Sequence, residues 1–378
     1  LILSKKIVVN ICNMVNFINL KKRLSILKPE LEKAISEVID NSRFVLGKQV
    51  KEFENEFASF CNVPFSIGVG NGTQAIELCL RAFNIGIGDK VIIPVNTSFF
   101  TALGVFATGA EPIFIDIDPE TMTIDSSKIE EALCLRTKAI IPVHFYGHPA
   151  DMDQILRIAK KYNLKVIEDA CQAHGAKYKG KVVGSIGDAG CFSFYETKNL
   201  GALGDGGAIT TNNEELDKKL RILRNGGNKG GHVHKYISIN SRLDEMQAAI
   251  LRIQLKHLEK WNNKRREIAK KYKENMKNVT HPVTKDFVEH VFHLYVIRTP
   301  HRNNLKEYLK DKGITTLIHY PKLIHKQEVF GEKYASLSFP IAEKYNKEIL
   351  SIPIYPELTN EEIEQIIYSI NSFQDGKI

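Results

Sequence analysis

The feature that most constrains the fold is an alternation running from about Phe65 to Thr211, in which short apolar or β-branched runs take turns with amphipathic segments. The runs that read as strands are Phe65–Val69, Lys90–Pro94, Pro112–Asp116, Lys138–Val143, Leu164–Glu168, Gly190–Tyr195 and Gly207–Thr211. Helical spacing falls between several of them, at Thr73–Phe83, Ser127–Leu133 and Met152–Lys161. Strands separated by helices of this length predict a mainly parallel sheet covered on both faces. Such a sheet holds its ligands beyond the carboxyl ends of its strands. After Glu214 the pattern turns helical. Ser241–Lys273 reads as a long helix or helix pair, with Leu243, Met246, Ile250, Ile253 and Leu258 near helical spacing. From about Asn278 a smaller α/β region follows, with a strand at Val291–Arg298 and helices around Asn304–Lys312 and Glu361–Ser369. The expected division is an N-terminal extension (1–13), a large domain (14–260) and a small C-terminal domain (261–378), packed closely because no low-complexity linker intervenes.

Composition removes several function classes. With 43% hydrophobic and 25% charged residues, the 378-residue chain is an ordinary globular one. Its most apolar region, Val91–Ile115, is broken by Pro94, Asn96, Gly104, Gly109 and Glu111, so no membrane span is expected. The net charge of +8 is spread over helices such as Lys264–Lys273 and Lys306–Lys312. No basic motif with interleaved aromatics stands out, so no nucleic-acid partner is expected. The six cysteines show no C-x-x-C spacing, which argues for a reducing compartment without disulfides or zinc. Leu1–Asn13 lacks the apolar core and cleavage site of a signal peptide, so an extension ahead of Met14 and a cytoplasmic location are expected. His232 with His234, and His144 with His148, lack acidic or Cys partners at ligand spacing, and no metal is expected.

Chemistry is carried by three strand ends. Gly68-Val-Gly-Asn-Gly-Thr73 follows a strand and opens a helix, where glycines admit backbone N–H groups to a ligand and the helix terminus favours an anion. It half-matches a dinucleotide fingerprint, but Thr73 stands in place of the third glycine. The plainer reading is a tight turn with Thr73 as helix cap. Lys165-Val-Ile-Glu-Asp169 ends in two carboxylates, suited to a metal, to base catalysis or to a buried cation. Finally, the strand Cys191–Tyr195 runs into Lys198, followed by a loop with four glycines between Gly201 and Gly207. Desolvation beyond a core strand would lower the amine's pKa and make it nucleophilic towards carbonyls. The plainer alternative is a lysine reaching out to solvent.

The run Phe192-Ser-Phe-Tyr-Glu-Thr-Lys-Asn-Leu-Gly-Ala-Leu-Gly-Asp-Gly-Gly-Ala208 resembles the lysine motif of the DegT/StrS family of sugar-nucleotide aminotransferases. So do Val166–Gly175, Pro142–Asp151, Asn240–Ala249 and His319-Tyr-Pro321, in the same order. The likeness extends from roughly Phe17 to Leu350–Pro353. It implies an aspartate-aminotransferase type (fold type I) α/β architecture, pyridoxal 5′-phosphate (PLP), and a homodimer whose active sites lie at the subunit interface. By position, Lys198 would hold PLP as a Schiff base and Asp169 would face the pyridine nitrogen, keeping it protonated. Gln172 would lie near the ring hydroxyl. Gly72, Thr73 and Ser193 would hold the phosphate, with Asn240 reaching in from the partner subunit, and His319 and Tyr320 would line the sugar-nucleotide side.

The sequence also departs from the family pattern. Ser98 stands where an aromatic usually stacks on the cofactor ring, and is followed by Phe99 and Phe100. Cys171 replaces a typical Ala, His148 a common Gln, and Glu196 a common Pro or Gly. Relatives with His for the motif lysine are dehydratases, so Lys198 favours transamination. The wording of the motif is most like the branch acting on dTDP-linked 3-keto-6-deoxyhexoses, with glutamate as donor. The alternatives are a dehydratase, an aminotransferase for 4-keto or UDP- or GDP-linked sugars, a binding protein without turnover, and a nucleotide-cofactor oxidoreductase built on Gly68–Thr73. The last leaves Lys198 and its glycine loop unexplained.

Overall fold

The computed structural model describes residues 14–374; the expected N-terminal extension lies outside the described residues. Its centre is a seven-stranded sheet of β1 (Phe65–Val69), β2 (Lys90–Pro94), β3 (Glu111–Ile115), β4 (Thr137–Ile140), β5 (Lys165–Asp169), β6 (Ala189–Ser193) and β7 (Gly207–Thr211). The spatial order is β1-β7-β6-β5-β4-β2-β3. β2 pairs in parallel with β3 and β4, β4 with β5 and β5 with β6, whereas β7 runs antiparallel to both β1 and β6. The mainly parallel sheet read from the sequence is therefore present.

Successive strand residues face opposite sides, and both sides are dry. Ile67, Ile93, Ile141 and Ile167 enter one apolar cluster, while Ile92, Ile140 and Val166 enter another. The helices in this part of the chain are α1 (Leu20–Asn41), α2 (Lys48–Cys61), α3 (Gly72–Ala82), α4 (Phe99–Phe106), α5 (Met152–Tyr162), α6 (Glu214–Leu223), α7 (Glu245–Leu255) and α8 (Leu258–Asn275). α3 and α4 give Ala75, Leu78, Ala102 and Val105 to the first cluster, and α5 gives Ile155 and Ile158 to the second. Double coverage explains why the strands read as continuous apolar runs rather than alternating ones. Truncating a fully buried residue such as Ile93 to Ala costs about 2–5 kcal/mol at sites of this kind.

Three sequence expectations change in detail. Ser127–Leu133 forms two short 3-10 turns, Ser126–Lys128 and Glu130–Ala132, rather than an α-helix. So short a segment gains too few hydrogen bonds to offset helix nucleation. Ser241–Lys273 resolves into the pair α7 and α8, broken at Lys256–His257. Of the expected strand Val291–Arg298 only Tyr295–Arg298 pairs in a ladder, with Ile349–Ile352. The preceding stretch runs along the 146–147 turn instead, with Val291 N–H donating to Gly147 O (3.2 Å) and Leu294 N–H to Tyr146 O (3.3 Å).

Around Tyr295–Arg298 a further core gathers Ile268, Tyr272, Leu305, Leu309, Leu350, Ile352, Ile363 and Ile366. Val15 joins this core and is fixed between Gly313 and Thr315 by backbone hydrogen bonds of 2.8 and 2.9 Å. The helices expected near residues 304 and 361 are observed at Arg302–Asp311 and Asn360–Ser372. Among the described residues no helix is long and apolar enough to cross a membrane, and no three His, Cys, Asp or Glu side chains converge as metal ligands.

Candidate active site

The parallel strands bring their carboxyl ends to one edge, and β5 delivers Asp169 there. The Asp169 backbone is pinned on both sides, its N–H donating to Pro142 O (2.9 Å) and its carbonyl accepting from His144 N–H (3.0 Å). The residue is 4% exposed; its Oδ2 accepts from Thr101 Oγ1 (2.8 Å) and its Oδ1 from Cys171 N–H (3.2 Å). Thr101 sits in the first turn of α4 and pairs with Thr97 (3.0 Å). A buried carboxyl group held in this way is fixed in place and orientation.

Strand alternation turns Glu168 the other way and closes the ambiguity of the two carboxylates. Glu168 accepts from Gly184, Ile186 and Gly187 N–H at 2.7–2.8 Å and bonds His144 Nε2 at 2.9 Å. His144 Nδ1 accepts from Ala150 N–H (3.1 Å), so its proton resides on Nε2 and is donated to Glu168. Glu168 and His144 thus tie loops beneath the sheet. His148 Nδ1 is engaged by Pro149 O at 2.7 Å, and burial drives its pKa down to about 4. His232 and His234 are exposed, with His234 Nδ1 against Gly226 O (2.8 Å).

Lys198 follows β6 in a turn closed by its own N–H on Tyr195 O (2.8 Å). Burial lowers the pKa of its amine, opposed by the neighbouring Cys171 and Asp169. Burial and the charge of Lys198 in turn lower three histidines: His174 to about 3, His319 to about 4, and His293 as well. Lys198, Asp169, Cys171, His174, His293 and His319 therefore share one electrostatic neighbourhood with the histidines neutral.

On one side of this group lies a cradle. Asn71, not Thr73, caps α3, its Oδ1 accepting from Gln74 N–H at 2.9 Å, which leaves Thr73 inside the first helical turn. A Cβ placed on Gly72 would lie 2.7 Å from Cys171 Sγ and 2.9 Å from Ser193 Cβ. The start of α3, Ser193 and Cys171 are thus in van der Waals contact, and only glycine fits. Backbone donors and the helix dipole make the spot attractive to phosphate.

On the other side, Gln172 accepts from Tyr146 N–H (2.9 Å) and donates to Tyr320 OH (3.3 Å). Tyr146 OH donates to His319 O, and His319 Nδ1 lies 2.9 Å from Ser351 Oγ. Burial raises the Tyr320 pKa, against a hydrogen bond from Ser98. Ser98 also caps α4, accepting from Phe100 N–H at 3.3 Å. Phe99 stacks on Phe330, ring centroids 5.6 Å apart, and so is engaged away from the site.

Together these features fit PLP. The phosphate suits the cradle at Gly72, a protonated ring nitrogen suits Asp169, and an aldehyde suits the desolvated Lys198. Residues 25–371 match the DegT/DnrJ/EryC1/StrS aminotransferase family. The chain belongs to this family. A dTDP-3-amino-3,6-dideoxy-alpha-D-galactopyranose transaminase of Aneurinibacillus thermoaerophilus is 47% identical over 95% of this chain and 99% of its own. A pleiotropic regulatory protein of Geobacillus stearothermophilus is 45% identical over 95% and 98%. The crystal structure of S. venezuelae DesV in complex with a ketimine intermediate superposes with a TM-score of 0.92 at 41% identity, covering 95% of this chain and 98% of DesV. The fold is therefore that of the fold type I aminotransferases of this family.

Within this family member, one expected site residue stands apart. Asn240 is exposed, on the segment that returns to α3 through Ser241, whose Oγ accepts from Gly70 N–H (2.9 Å) and donates to Gln74 Oε1 (2.7 Å). Thr101, Tyr146 and the hydroxyl of Ser98 were not anticipated. Thr101 lies one helical turn beyond Ser98, and that spacing was its only signal in the sequence. Gly72→Ala is expected to weaken PLP binding at least about tenfold, because the new methyl must displace Ser193 or Cys171. Titration of the apoprotein with PLP checks this, and unchanged affinity would contradict the cradle.

Proposed function

We propose that this enzyme transfers the amino group of glutamate to a nucleotide-linked keto-6-deoxyhexose, dTDP-3-keto-6-deoxyhexose before others, yielding the 3-amino-3,6-dideoxy sugar. The observation that carries the reading is the desolvated Lys198 amine beside the buried, hydrogen-bonded Asp169. Bound PLP supplies the electron sink for carbanion chemistry. Lys198 would hold it through its amine, and the same amine would serve as general acid and base for the proton at the substrate carbon. Asp169 keeps the ring nitrogen protonated, with Thr101 and the Cys171 N–H fixing its carboxylate. Gly72, Thr73 and Ser193 would hold the phosphate. Gln172, braced between Tyr146 and Tyr320, would contact the ring hydroxyl, and His319 and Tyr320 would face the sugar nucleotide.

Asn240 completes the phosphate site of a second copy, so the working form is a homodimer. Its exposure within one chain supports this reading. The large domain runs to about residue 260 and the small one from there on, and the free thiols among the described residues suit a cytoplasmic enzyme. The substrate class rests on the transaminases named above. The presence of Lys198 in the electrostatic neighbourhood of Asp169 speaks for turnover rather than for a binding protein without it. The test is incubation of the purified enzyme with PLP, glutamate and dTDP-linked 3-keto sugar, beside 4-keto, UDP- and GDP-linked sugars, read by mass spectrometry. Glutamate-dependent amination of the 3-keto sugar is expected. Loss of water from a sugar without glutamate consumption would instead identify a dehydratase.

A further inference from the structure

Asn199, next to the lysine, has a buried side chain whose contacts reach every wall behind the site. Its exposure is 1%; Nδ2 donates to Asn262 Oδ1 (2.9 Å) and Val291 O (3.1 Å), while Oδ1 lies 3.2 Å from His293 Nδ1. Asn262, from α8, donates in turn to His174 O at 2.8 Å, just beyond Gln172. All the donors and the acceptor of the Asn199 amide are thereby engaged, with geometry no Ala, Asp or Ser reproduces.

The segment 291–294 that receives Asn199 also carries the opposite wall. Val291 and Leu294 hold the backbone of Gly147 and Tyr146, and a Cβ on Gly147 would come within 2.9–3.1 Å of Val291, Phe292 and His293. Tyr146 in turn sets Gln172 through its N–H and His319 through its hydroxyl. One short segment is therefore the common reference for Lys198 on one side and for Gln172, His319 and Tyr320 on the other. Asn199 is the side chain that locks the lysine to it.

We propose that Asn199 is a positioning residue for Lys198, fixing the lysine in register with the Tyr146–Gln172–Tyr320 wall through Asn262, His293 and Val291. This rests on the reading of Lys198 as the cofactor-bearing lysine. The Asn199 side chain is engaged by Asn262, Val291 and His293, so it acts through the backbone it shares with Lys198. Displacement of a catalytic group by about an ångström costs on the order of a hundredfold in rate. The charged and titratable groups facing the lysine amine are Asp169, Cys171, His174, His293 and His319. A shifted amine meets a different balance of them.

The test uses PLP-loaded Asn199→Ala and Asn199→Asp enzymes, with Asn262→Ala as a variant that removes one partner and leaves Asn199 in place. Expected for Asn199→Ala are a kcat about ten- to a hundredfold lower, KM values within about threefold of wild type, and a moved pH midpoint of the lysine-bound cofactor's visible band. Asn262→Ala is expected to shift kcat and band in the same direction by less, and serves if Asn199→Ala does not fold. Unchanged kcat and midpoint, with only a lower Tm, would overturn the proposal. The Lys198→Ala control separates the two readings: a lysine-type band that persists there sinks the assignment of Lys198 itself.

Discussion

Lys198→Ala is expected to lower kcat at least about ten-thousandfold while leaving the fold intact. The size follows from two losses at one position, the covalent anchor of the cofactor and the general acid–base group, and the latter alone contributes about 10²–10⁴-fold. The structure shows why no neighbour can substitute. His174, His293 and His319 are the bases in its electrostatic neighbourhood, and burial holds all three far below their usual pKa. Their weak basicity disqualifies them as replacements near neutral pH. Cys171 is pushed well upwards by burial and stays a thiol. The backbone of residue 198 is held by Tyr195 O and the packed loop to Ala202, so the truncation leaves the local structure in place. Steady-state kinetics with a melting curve checks the prediction, and added small amines should restore part of the rate. Turnover within about tenfold of wild type would remove Lys198 from the chemistry.

Asp169→Asn has the second-largest expected effect, a kcat loss of about 10²–10³-fold, the usual penalty for deleting one preorganised charge at a reacting centre. Asn matches Asp in shape; its single oxygen can keep accepting from Cys171 N–H, while its NH2 can donate to a Thr101 hydroxyl that turns round, so the change removes the charge with little change in packing. Without the carboxylate, the ring nitrogen loses the partner that keeps it protonated. The Lys198 amine also loses a charge that raises its pKa, and its pKa should fall further below the ordinary lysine value. Single-turnover rates with glutamate should show the deficit directly. A rate within about threefold of wild type would mean that Asp169 is a structural carboxylate.

How much of this was readable from sequence depends on what each residue answers to. β1, β2 and β7 appear with the bounds their composition suggests, because a strand buried on both faces is written as an unbroken apolar run. Asp169 stood out in the sequence because it ends such a strand, and Lys198 because it follows one by five residues ahead of a glycine-rich loop. Glu168 was not separable from Asp169 until the alternation of the strand sent one side chain beneath the sheet and the other into the site. The cap of α3 was misplaced by two residues, since Asn71 and Thr73 are both good caps and only backbone geometry chooses between them. Tyr146, Thr101 and Asn199 escaped notice for a different reason. Each acts through partners distant along the chain, such as His319, Asp169 and His293, and local pattern carries no trace of those meetings. The consequence of Ser98 was open in the sequence; in the structure it caps α4 through Phe100 N–H, and Phe99 stacks on Phe330.

The most direct test of the central claim is the visible absorbance of the purified, PLP-loaded protein before and after addition of glutamate. Cofactor bound to Lys198 predicts a yellow band that collapses when glutamate hands over its amino group, and that returns when the keto-sugar is supplied. A protein that shows no such band even with added PLP, or whose band ignores glutamate, would contradict the assignment of Lys198 and of transamination.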